Sequence, residues 1–229
     1  MAILLNIETA TPVCSVSLSK DGQLIDRRES FDDRSHASLL TVFINELFEA
    51  QQLQASQLDA ISISEGPGSY TGLRIGVSVA KGICYAAGKP LVAVNTLKAM
   101  ALMAKEQLSD SNVLLCPQID ARRMEVYAAF YDMQLNCIRP TQADIVDENS
   151  YLEFLNKQAV AFFGNGADKC RNLITHPNAR FIEGVYPSAS YTAILAEELF
   201  QEKAFKDVAY FEPFYLKDFV ATLPKRKIF

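Results

Sequence analysis

The sequence predicts an α/β protein that consists of two related units, and three observations support this prediction. The first thirty residues alternate polar and apolar residues between turns, which predicts a β-meander. Strand patterns then alternate with helix patterns up to residue 108. VLLCPQIDARRMEVYAAFYDM at residues 113–133 repeats the pattern of ILLNIETATPVCSVSLS near the start, as an internal duplication would. We therefore expect two domains, residues 1–108 and 109–229.

The first unit is predicted to follow the order β-β-β-α-β-α-β-α. Its meander consists of AILLNIE, VCSVSLS and QLIDRRES, separated by the turns TATP and KDG. Residues 34–52 then predict a helix, and LDAISISE predicts the next strand. A glycine-rich turn leads into a helix over residues 71–87. The strand KPLVAVN and the helix TLKAMALMAKEQ follow, the latter capped by Asn95 or Thr96.

The second unit is more irregular than the first. After the hairpin at residues 113–133, AVAFFGN predicts a strand that ends in the turn Gly164-Asn165-Gly166. A short helix is expected to about residue 174, and a stronger helix near 191–204. The C-terminal FEPFYLKDFVATLPKRKIF is aromatic, contains prolines and is basic at its end, which is typical of a docked terminal segment.

Composition excludes several classes of function. A net charge of −5 and a pI near 5.2 argue against unaided binding to nucleic acid or to an anionic membrane, because both need an excess of lysine and arginine. No stretch is long enough to cross a bilayer, and the N-terminus predicts a strand rather than a signal peptide. Five cysteines without a CxxC pair indicate buried thiols, no disulfide and a cytoplasmic location.

The residues of common catalytic sites are missing or scattered. His36 and His176 are too far apart for a metal-binding pair, and no GxSxG sequence supports a serine nucleophile. We expect no metal site. Carboxylates occur near predicted strand ends, where α/β folds place their sites, and Glu8 in the first strand leaves a nucleotide role open.

The glycine-rich segment SEGPGSYTGLRIGVSVAKGICYAAG at residues 64–88 has two interpretations. Glycine loops before helices bind phosphate, but the spacing from Gly66 to Gly72 fits neither GxxxxGK[ST] nor GxGxxG. Close packing fits better, because Gly76 and Gly82 inside a helix cost about 0.8–1 kcal/mol each and must be offset by a contact. The alternatives of a buried core helix and a partner surface remain open.

A partner surface is favoured by two neighbouring helices with excess apolar surface. In the helix at 71–87, polar residues are confined to the stripe Arg74, Ser78, Lys81 and Tyr85. In the helix at 34–52, apolar residues span more than one face. Two such helices indicate a shared patch that a monomer would expose.

Several segments together resemble the bacterial TsaB (YeaZ) family over essentially the whole chain. They are ILLNIETAT, SEGPGSYTGLRIGVSVAKGICYA, the hairpin residues Asp120-Ala121-Arg122-Arg123, and FYLKD. The resemblance implies two tandem domains of the actin-like, hexokinase-type (ASKHA) fold, which is ribonuclease H-like. It also implies a non-catalytic partner of the threonylcarbamoyl transferase TsaD and the ATPase TsaE. That complex modifies the adenosine beside the anticodon of tRNAs that read codons beginning with A.

The resemblance also implies where a partner would bind. In the family the N-terminal-domain helices of the two paralogues form a bundle, and the matching helices here are residues 34–50 and 71–87. We expect Gly72, Gly76 and Ala80 to bring helix backbones together. The turn would be shaped by Gly66, Pro67 and Gly68. The full set expected at the interface is His36, Leu39, Leu40, Phe43, Ile44, Leu47, Gly72, Leu73, Gly76, Val79, Ala80 and Ile83.

The family's first strand usually carries Asp-Thr, and this chain departs from it with Glu8-Thr9, the residues expected nearest any nucleotide. No cofactor is expected, although ATP or ADP at a subunit junction is left open. The alternatives to a scaffold are an actin-like ATPase or phosphotransferase, a homodimer through the same helices and, last, a peptidase. tRNA is expected only through the complex, and contact by the basic tail Lys225-Arg226-Lys227 stays open.

Overall fold

The computed structural model describes residues 1–32 and 35–216, which form two sheets with helices around them. The first sheet has six strands in the spatial order β11-β5-β4-β1-β2-β3. These are β1 (Ile3–Glu8), β2 (Cys14–Lys20), β3 (Gln23–Ser30), β4 (Ala60–Gly66), β5 (Leu91–Asn95) and β11 (Phe205–Lys206). β1, β2 and β3 form the predicted antiparallel meander, and β4 and β5 extend it in parallel.

The second sheet repeats the arrangement of the first. Its spatial order is β10-β9-β6-β7-β8, which corresponds strand by strand to β5-β4-β1-β2-β3. Its strands are β6 (Val113–Asp120), β7 (Glu125–Tyr131), β8 (Cys137–Ile145), β9 (Ala159–Phe163) and β10 (Ala179–Ile182). The β6–β7–β8 meander is antiparallel and β9 and β10 are parallel to β6, which confirms the internal duplication.

The helices cover both faces of the first sheet. They are α1 (His36–Gln51), α2 (Tyr70–Ala87), α3 (Thr96–Glu106), α4 (Leu152–Leu155), α5 (Ala167–Cys170) and α6 (Ala189–Gln201). α1 and α2 pack on one face, over Leu5 and Ile7 of β1. α3 and α6 pack on the other face, over Leu4. α3 also packs on the second sheet, so it lies between the two units.

The C-terminal part of the chain returns to the first sheet. α6 packs on β1 and β2, and β11 pairs with β5 at the edge. A single boundary between residues 108 and 109 therefore separates the two meanders, but it does not separate everything that packs on each sheet. The strong helix predicted near 191–204 is α6. Strands β8, β10 and β11 were not predicted, because their sequences are polar or short.

Local sequence signals account for the helix ends. Ser69 caps α2, where its side chain accepts a hydrogen bond from Gly72 N at 3.3 Å, and Gly88 ends it in the left-handed conformation. Asn95, the first of the two predicted caps of α3, accepts a hydrogen bond from Lys98 N at 3.1 Å. Of the C-terminal segment expected to dock, only residues 211–216 are described, and Phe211 packs on the core of α1, α2 and the first sheet.

Candidate functional site

Gly72 and Gly76 of α2 lie against Thr9, the residue that follows the chain's own first strand. A Cβ added at Gly72 would lie 2.2 Å from Thr9 O, and one at Gly76 would lie 2.2 Å from Thr9 Oγ1 and 3.0 Å from Ile63 Cδ1. Close packing is therefore the reason for these glycines. The expectation that they bring two helix backbones together is corrected, because the group that approaches them is the turn after β1.

The twelve residues expected at a partner interface fall into two groups. Eight of them are buried inside this chain, where they form or border the core between α1, α2 and the first sheet. They leave little surface for a partner to contact. Four are half-buried and keep part of their surface outside. The eight are His36, Leu40, Ile44, Leu47, Gly72, Leu73, Gly76 and Ala80, and the four are Leu39, Phe43, Val79 and Ile83.

His36 illustrates why burial overrides the predicted role. It begins α1 and is only 7% exposed, and its Nε2 lies 2.8 Å from Thr11 O in the turn between β1 and β2. The imidazole N–H donates to that carbonyl, so the ring fastens α1 to the turn. His176 has a local role too, because its Nδ1 accepts a hydrogen bond from Asn178 N at 3.1 Å.

The outer surface of α2 carries a second row of small residues. Ser78, Gly82 and Ala86 recur at every fourth position, and all three are exposed. Among residues 1–32 and 35–216, a Cβ added at Gly82 would meet no atom within 4 Å. The residues beside this row, Ile75, Val79 and Ile83, are half-buried at the edge of the core. The sequence contained this signal, but Ser78 was assigned to a polar stripe and Gly82 was not assigned to the interface.

The adjoining surface of α1 is also apolar. Leu39 and Phe43 are half-buried, and Val42 between them is 46% exposed. We call Leu39, Val42, Phe43, Ile75, Ser78, Val79, Gly82, Ile83 and Ala86 the outer helix face. Charged residues flank this face, with Glu49 and the Arg28-paired Glu46 exposed on α1 and with Arg74 and Lys81 on α2.

The second candidate site is a cavity of about 720 Å³ between the two sheets. Its wall consists of the turns after β1, β4 and β6, together with the chain at residues 214–216. Two glycines shape the β4–α2 turn on this wall. Gly66 has φ +105°, and a Cβ at Gly68 would lie 2.2 Å from Ala10 O, so both positions need glycine. Pro67 lies between them on the cavity wall.

Glu8 and Thr9 lie behind this wall and are fully buried. Glu8 Oε1 accepts hydrogen bonds from Ala10 N at 2.6 Å and from Ser64 Oγ at 3.0 Å, and Oε2 has no partner within residues 1–32 and 35–216. Burial raises the pKa of this carboxyl to about 7, despite the two hydrogen bonds, which lower it. The expectation that Glu8 and Thr9 stand next to a nucleotide is therefore not supported by their position.

Two statements about the remaining chemistry apply to the described part of the chain only. It contains no group of three or more histidine, cysteine, aspartate or glutamate side chains arranged to hold a metal ion. None of its helices combines the length and the apolar character needed to cross a membrane. The basic tail Lys225-Arg226-Lys227 lies outside the described residues, so its predicted role has no structural account.

Comparison with known proteins gives consistent matches over most of the chain. Residues 30–225 match the family model described as TsaD, tRNA N6-adenosine threonylcarbamoyltransferase. A relative from Escherichia coli K12, the tRNA threonylcarbamoyladenosine biosynthesis protein TsaB, is 30% identical over 225 residues, which are 95% of this chain and 96% of that protein. The Bacillus subtilis protein of the same name is 25% identical over 177 residues, 75% of this chain and 74% of that one.

A solved structure has the same fold. YeaZ from Pseudomonas aeruginosa superimposes with a TM-score of 0.81 at 25% sequence identity, and the match covers 94% of this chain and all of that one. The duplicated order of strands in the two sheets and this likeness agree with the expected pair of actin-like domains.

Proposed function

Because the chain belongs to the TsaB (YeaZ) family, we propose that it is a non-catalytic subunit that binds and organises a TsaD-type threonylcarbamoyl transferase. The chain has a role in tRNA threonylcarbamoyladenosine biosynthesis, the pathway for which its relatives are named. The outer helix face is the surface that we assign to pairing. A TsaE-type ATPase would join the resulting complex in the cytoplasm, and tRNA would be bound only through it.

The observation that supports this proposal is the exposed glycine at position 82. A glycine inside a helix costs about 1 kcal/mol relative to alanine, and the cost is usually offset by a contact that a side chain would block. Gly72 and Gly76 have such contacts inside the chain, whereas Gly82 has open space. No described residue supplies such a contact for Gly82, so we assign it to a partner, and Ser78 and Ala86 extend the same row for a second helix to approach.

The apolar residues around this row favour a protein partner over solvent. Ile75, Val79 and Ile83 on α2 and Phe43 on α1 are already half-buried at the core edge, so a second helix pair would complete their burial. Each further apolar side chain removed from water contributes about 25 cal/mol per Å² of buried area. The TsaD-type transferase is a matching partner, because the family model that describes it also matches this chain.

The charged borders of the face would orient the partner. Glu46 and Glu49 stand on the α1 side, and Arg74 and Lys81 stand on the α2 side. Charges at the rim of an interface contribute little affinity, but they favour one orientation and disfavour its reverse. A partner that places a basic helix beside α1 and an acidic helix beside α2 would fit.

A homodimer through the same face is the second candidate. A two-fold axis across the outer helix face would place α1 of one copy against α2 of the other, and their border charges are opposite. The two assemblies would compete for one surface. A self-acting ATPase is the weaker alternative, because Glu8 lies behind the cavity wall.

The test is light scattering after size exclusion, on the chain alone and mixed with the TsaD-type transferase of the same organism. Gly82→Leu adds a side chain whose Cβ would meet no described residue within 4 Å, so the variant should fold and fail to pair. Glu198→Leu is the matched control, because it adds an exposed leucine to α6 on the opposite face of the first sheet. Gly76→Leu is unsuitable, since it would displace Thr9.

The expected result is a one-to-one complex with the wild-type chain and with Glu198→Leu, and separate species with Gly82→Leu. Pairing by Gly82→Leu at unchanged affinity would refute the assignment of the outer helix face as the pairing surface. If the wild-type chain and the transferase stay separate when nucleotide and the TsaE-type ATPase are supplied, the TsaD-type transferase is not the partner. A dimer of the wild type that Gly82→Leu makes monomeric would support the homodimer.

A further inference from the structure

The two helices of the outer helix face are both fastened to residues 9–11, in the turn between β1 and β2. His36 at the start of α1 donates from Nε2 to Thr11 O at 2.8 Å. Ser69, the N-cap residue of α2, donates from its backbone N–H to Ala10 O at 2.6 Å. The turn therefore links the start of one helix to the start of the other.

The contact between this turn and α2 leaves no free space. A Cβ at Gly72 would collide with Thr9 O, one at Gly76 would collide with Thr9 Oγ1, and one at Gly68 would collide with Ala10 O. Close-packed interiors transmit a displacement to their neighbours and do not absorb it. A movement of the turn would therefore move α2, and through His36 it would also move α1.

A buried carboxyl holds the turn from the other side. Glu8 Oε1 accepts hydrogen bonds from Ala10 N at 2.6 Å and from Ser64 Oγ at 3.0 Å. Alternation along β1 places this side chain with Leu4 on the α6 side of the sheet, so residues 9–11 lie between the carboxyl and the two helices. Glu8 is fully buried, and its Oε2 has no hydrogen-bond partner among residues 1–32 and 35–216.

The two charge states of Glu8 make different demands on the turn. Burial raises its pKa to about 7, although the hydrogen bonds from Ala10, Ser64 and Thr9 lower it, so both states are populated near neutral pH. A buried carboxylate oxygen without a donor is costly, and charge also strengthens the pull on Ala10 N. The charged form therefore favours a movement of the turn that supplies Oε2 with a donor.

We propose that Glu8 is a positioning residue for pairing: its neutral form holds residues 9–11 where α1 and α2 dock, and its ionisation displaces the turn and weakens binding through the outer helix face. This inference rests on the proposed function, because it concerns the same surface. If only the neutral form pairs, the competent fraction falls from about nine tenths at pH 6 to about one tenth at pH 8. The apparent affinity should then fall about tenfold.

The titratable groups on the neighbouring strands do not compete for this role. Burial, and then the charge of Glu8, raise the pKa of Cys14 on β2 to about 11, so its thiol stays neutral between pH 6 and pH 8. Glu29 lies one strand further away, on β3, where it accepts a hydrogen bond from Ser15 Oγ at 2.8 Å. The start of α6 donates from Ala189 N to the same hydroxyl at 2.9 Å.

The charged side chains of α2 and of the end of β4 bond away from the turn. Arg74 donates to Tyr70 Oη and Lys81 donates to Ala209 O, while Glu65 pairs with Lys206. His36 contacts the turn directly through Thr11 O, so its contribution is tested by a variant of its own.

The test combines a partner-free and a partner-dependent measurement. In the isolated ¹⁵N-labelled chain, NMR follows the amide signals of Ser69 and Gly82 from pH 5.5 to pH 8.5. A binding titration with the TsaD-type transferase at pH 6 and pH 8 gives the affinity of each variant, and the ratio to wild type at each pH cancels ionisation of the transferase. His36→Gln is the control, because glutamine keeps an N–H donor for Thr11 O.

In the wild type and in His36→Gln, both signals should shift with a midpoint near pH 7, and affinity should fall about tenfold from pH 6 to pH 8. Glu8→Gln should abolish both changes and pair at pH 8 as tightly as the wild type does at pH 6. Ser64→Ala is the second variant, in case Glu8→Gln does not fold. It removes a hydrogen bond that favours the charged form, so the midpoint should move to higher pH.

Three results would overturn the proposal. They are a titration of Gly82 that persists in Glu8→Gln, a titration that disappears in His36→Gln instead, and an affinity ratio between Glu8→Gln and wild type that is the same at pH 6 and pH 8. Absence of pairing by every variant at both pH values would refute the proposed function. The NMR titration of the isolated chain would still show whether Glu8 acts on the outer helix face, so the two failures are distinguishable.

Discussion

The two faces of α2 carry the same spacing of small residues and place it in different surroundings. On the inner face, Gly72, Gly76 and Ala80 lie against the first sheet, and Thr9 occupies the space that side chains would need. On the outer face, Ser78, Gly82 and Ala86 are exposed, and no described residue lies within 4 Å of a Cβ placed at Gly82. Spacing of small residues therefore indicates that a backbone or side chain comes close. It does not indicate whether that group belongs to the same chain.

The largest effect is expected at the inner face. Gly72→Ala should lower the free energy of unfolding by about 3 kcal/mol, the upper part of the range for an overpacked core. The new Cβ would lie 2.2 Å from Thr9 O, a backbone atom that cannot rotate away. Thr9 lies in the turn that the peptide of Ala10 joins to Ser69, so the turn cannot move freely. Urea denaturation of wild type and variant measures the difference.

The matched control for Gly72→Ala is the same substitution at Gly82 in the same helix, which shares the propensity gain without the contact. A loss of stability at both positions would show that the helix, rather than its inner contact, is sensitive to alanine. An unchanged free energy of unfolding for Gly72→Ala would contradict the inner packing.

The next effect concerns the buried carboxyl beneath the inner face. Glu8 has a folded pKa of about 7 against a usual value of 4.5, so folding favours its protonated form. Protonated Glu8 contributes this stability in full below pH 4.5, and the contribution is lost as the pH rises to about 7. The free energy of unfolding changes by about 3 kcal/mol over this range. Glu8→Gln removes this titration. The free energy of unfolding of the variant, relative to that of wild type, should therefore rise by about 3 kcal/mol from pH 4 to pH 8.

Urea denaturation at both pH values measures this change. Glutamine keeps an oxygen that can accept from Ala10 N and Ser64 Oγ, so the variant isolates the charge from the hydrogen bonds. Glu198→Gln is the control, because its side chain is exposed on α6, away from the buried carboxyl. A difference between Glu8→Gln and wild type that is the same at pH 4 and pH 8 would show that the carboxyl is not buried in solution.

Most of the fold could be predicted because its strands and helices have strong periodic patterns. The meander of β1, β2 and β3 follows from the alternation of polar and apolar residues and from the turn residues. The duplication follows from the repeat of this pattern at residues 113–133. β8 (Cys137–Ile145) was missed because its side chains are mostly exposed, so its sequence lacks an apolar side. The return of α6 and β11 to the first sheet was also missed, because no local signal states which sheet a distant helix will cover.

The sequence predicted which two helices form the candidate site, but only some of the residues that face outward on them. Two helices with excess apolar residues were identified, but an apolar residue on such a helix can face the core or a partner. Leu40 and Leu47 face the core, whereas Leu39 and Phe43 are half-buried, and periodicity alone did not separate them. The cavity was not predicted, because Thr11 and Arg122 are far apart in sequence and meet only through the two sheets.

A smaller effect is expected at the start of α2. Ser69→Ala removes the side-chain oxygen that accepts from Gly72 N at 3.3 Å, and loss of a helix cap costs about 1 kcal/mol. Thermal unfolding, with its enthalpy, gives the change in free energy. Ser69→Asp restores an acceptor and should recover wild-type stability. If alanine and aspartate behave alike, the cap contributes nothing.

The smallest effect has the opposite sign and belongs to the outer face. Gly82→Ala should raise the free energy of unfolding of the isolated chain by about 0.8–1 kcal/mol, because alanine favours the helix and its Cβ meets no atom of the described residues within 4 Å. In a mixture with the TsaD-type transferase, the same methyl group would occupy the position proposed for the partner's backbone, so pairing should weaken. Urea denaturation and a binding titration on one preparation measure both quantities.

Greater stability together with weaker pairing would separate the outer face from the inner one, since Gly72→Ala should lower stability. A gain in stability with unchanged pairing would mean that this glycine contacts no partner, and the outer helix face would then lose its main support.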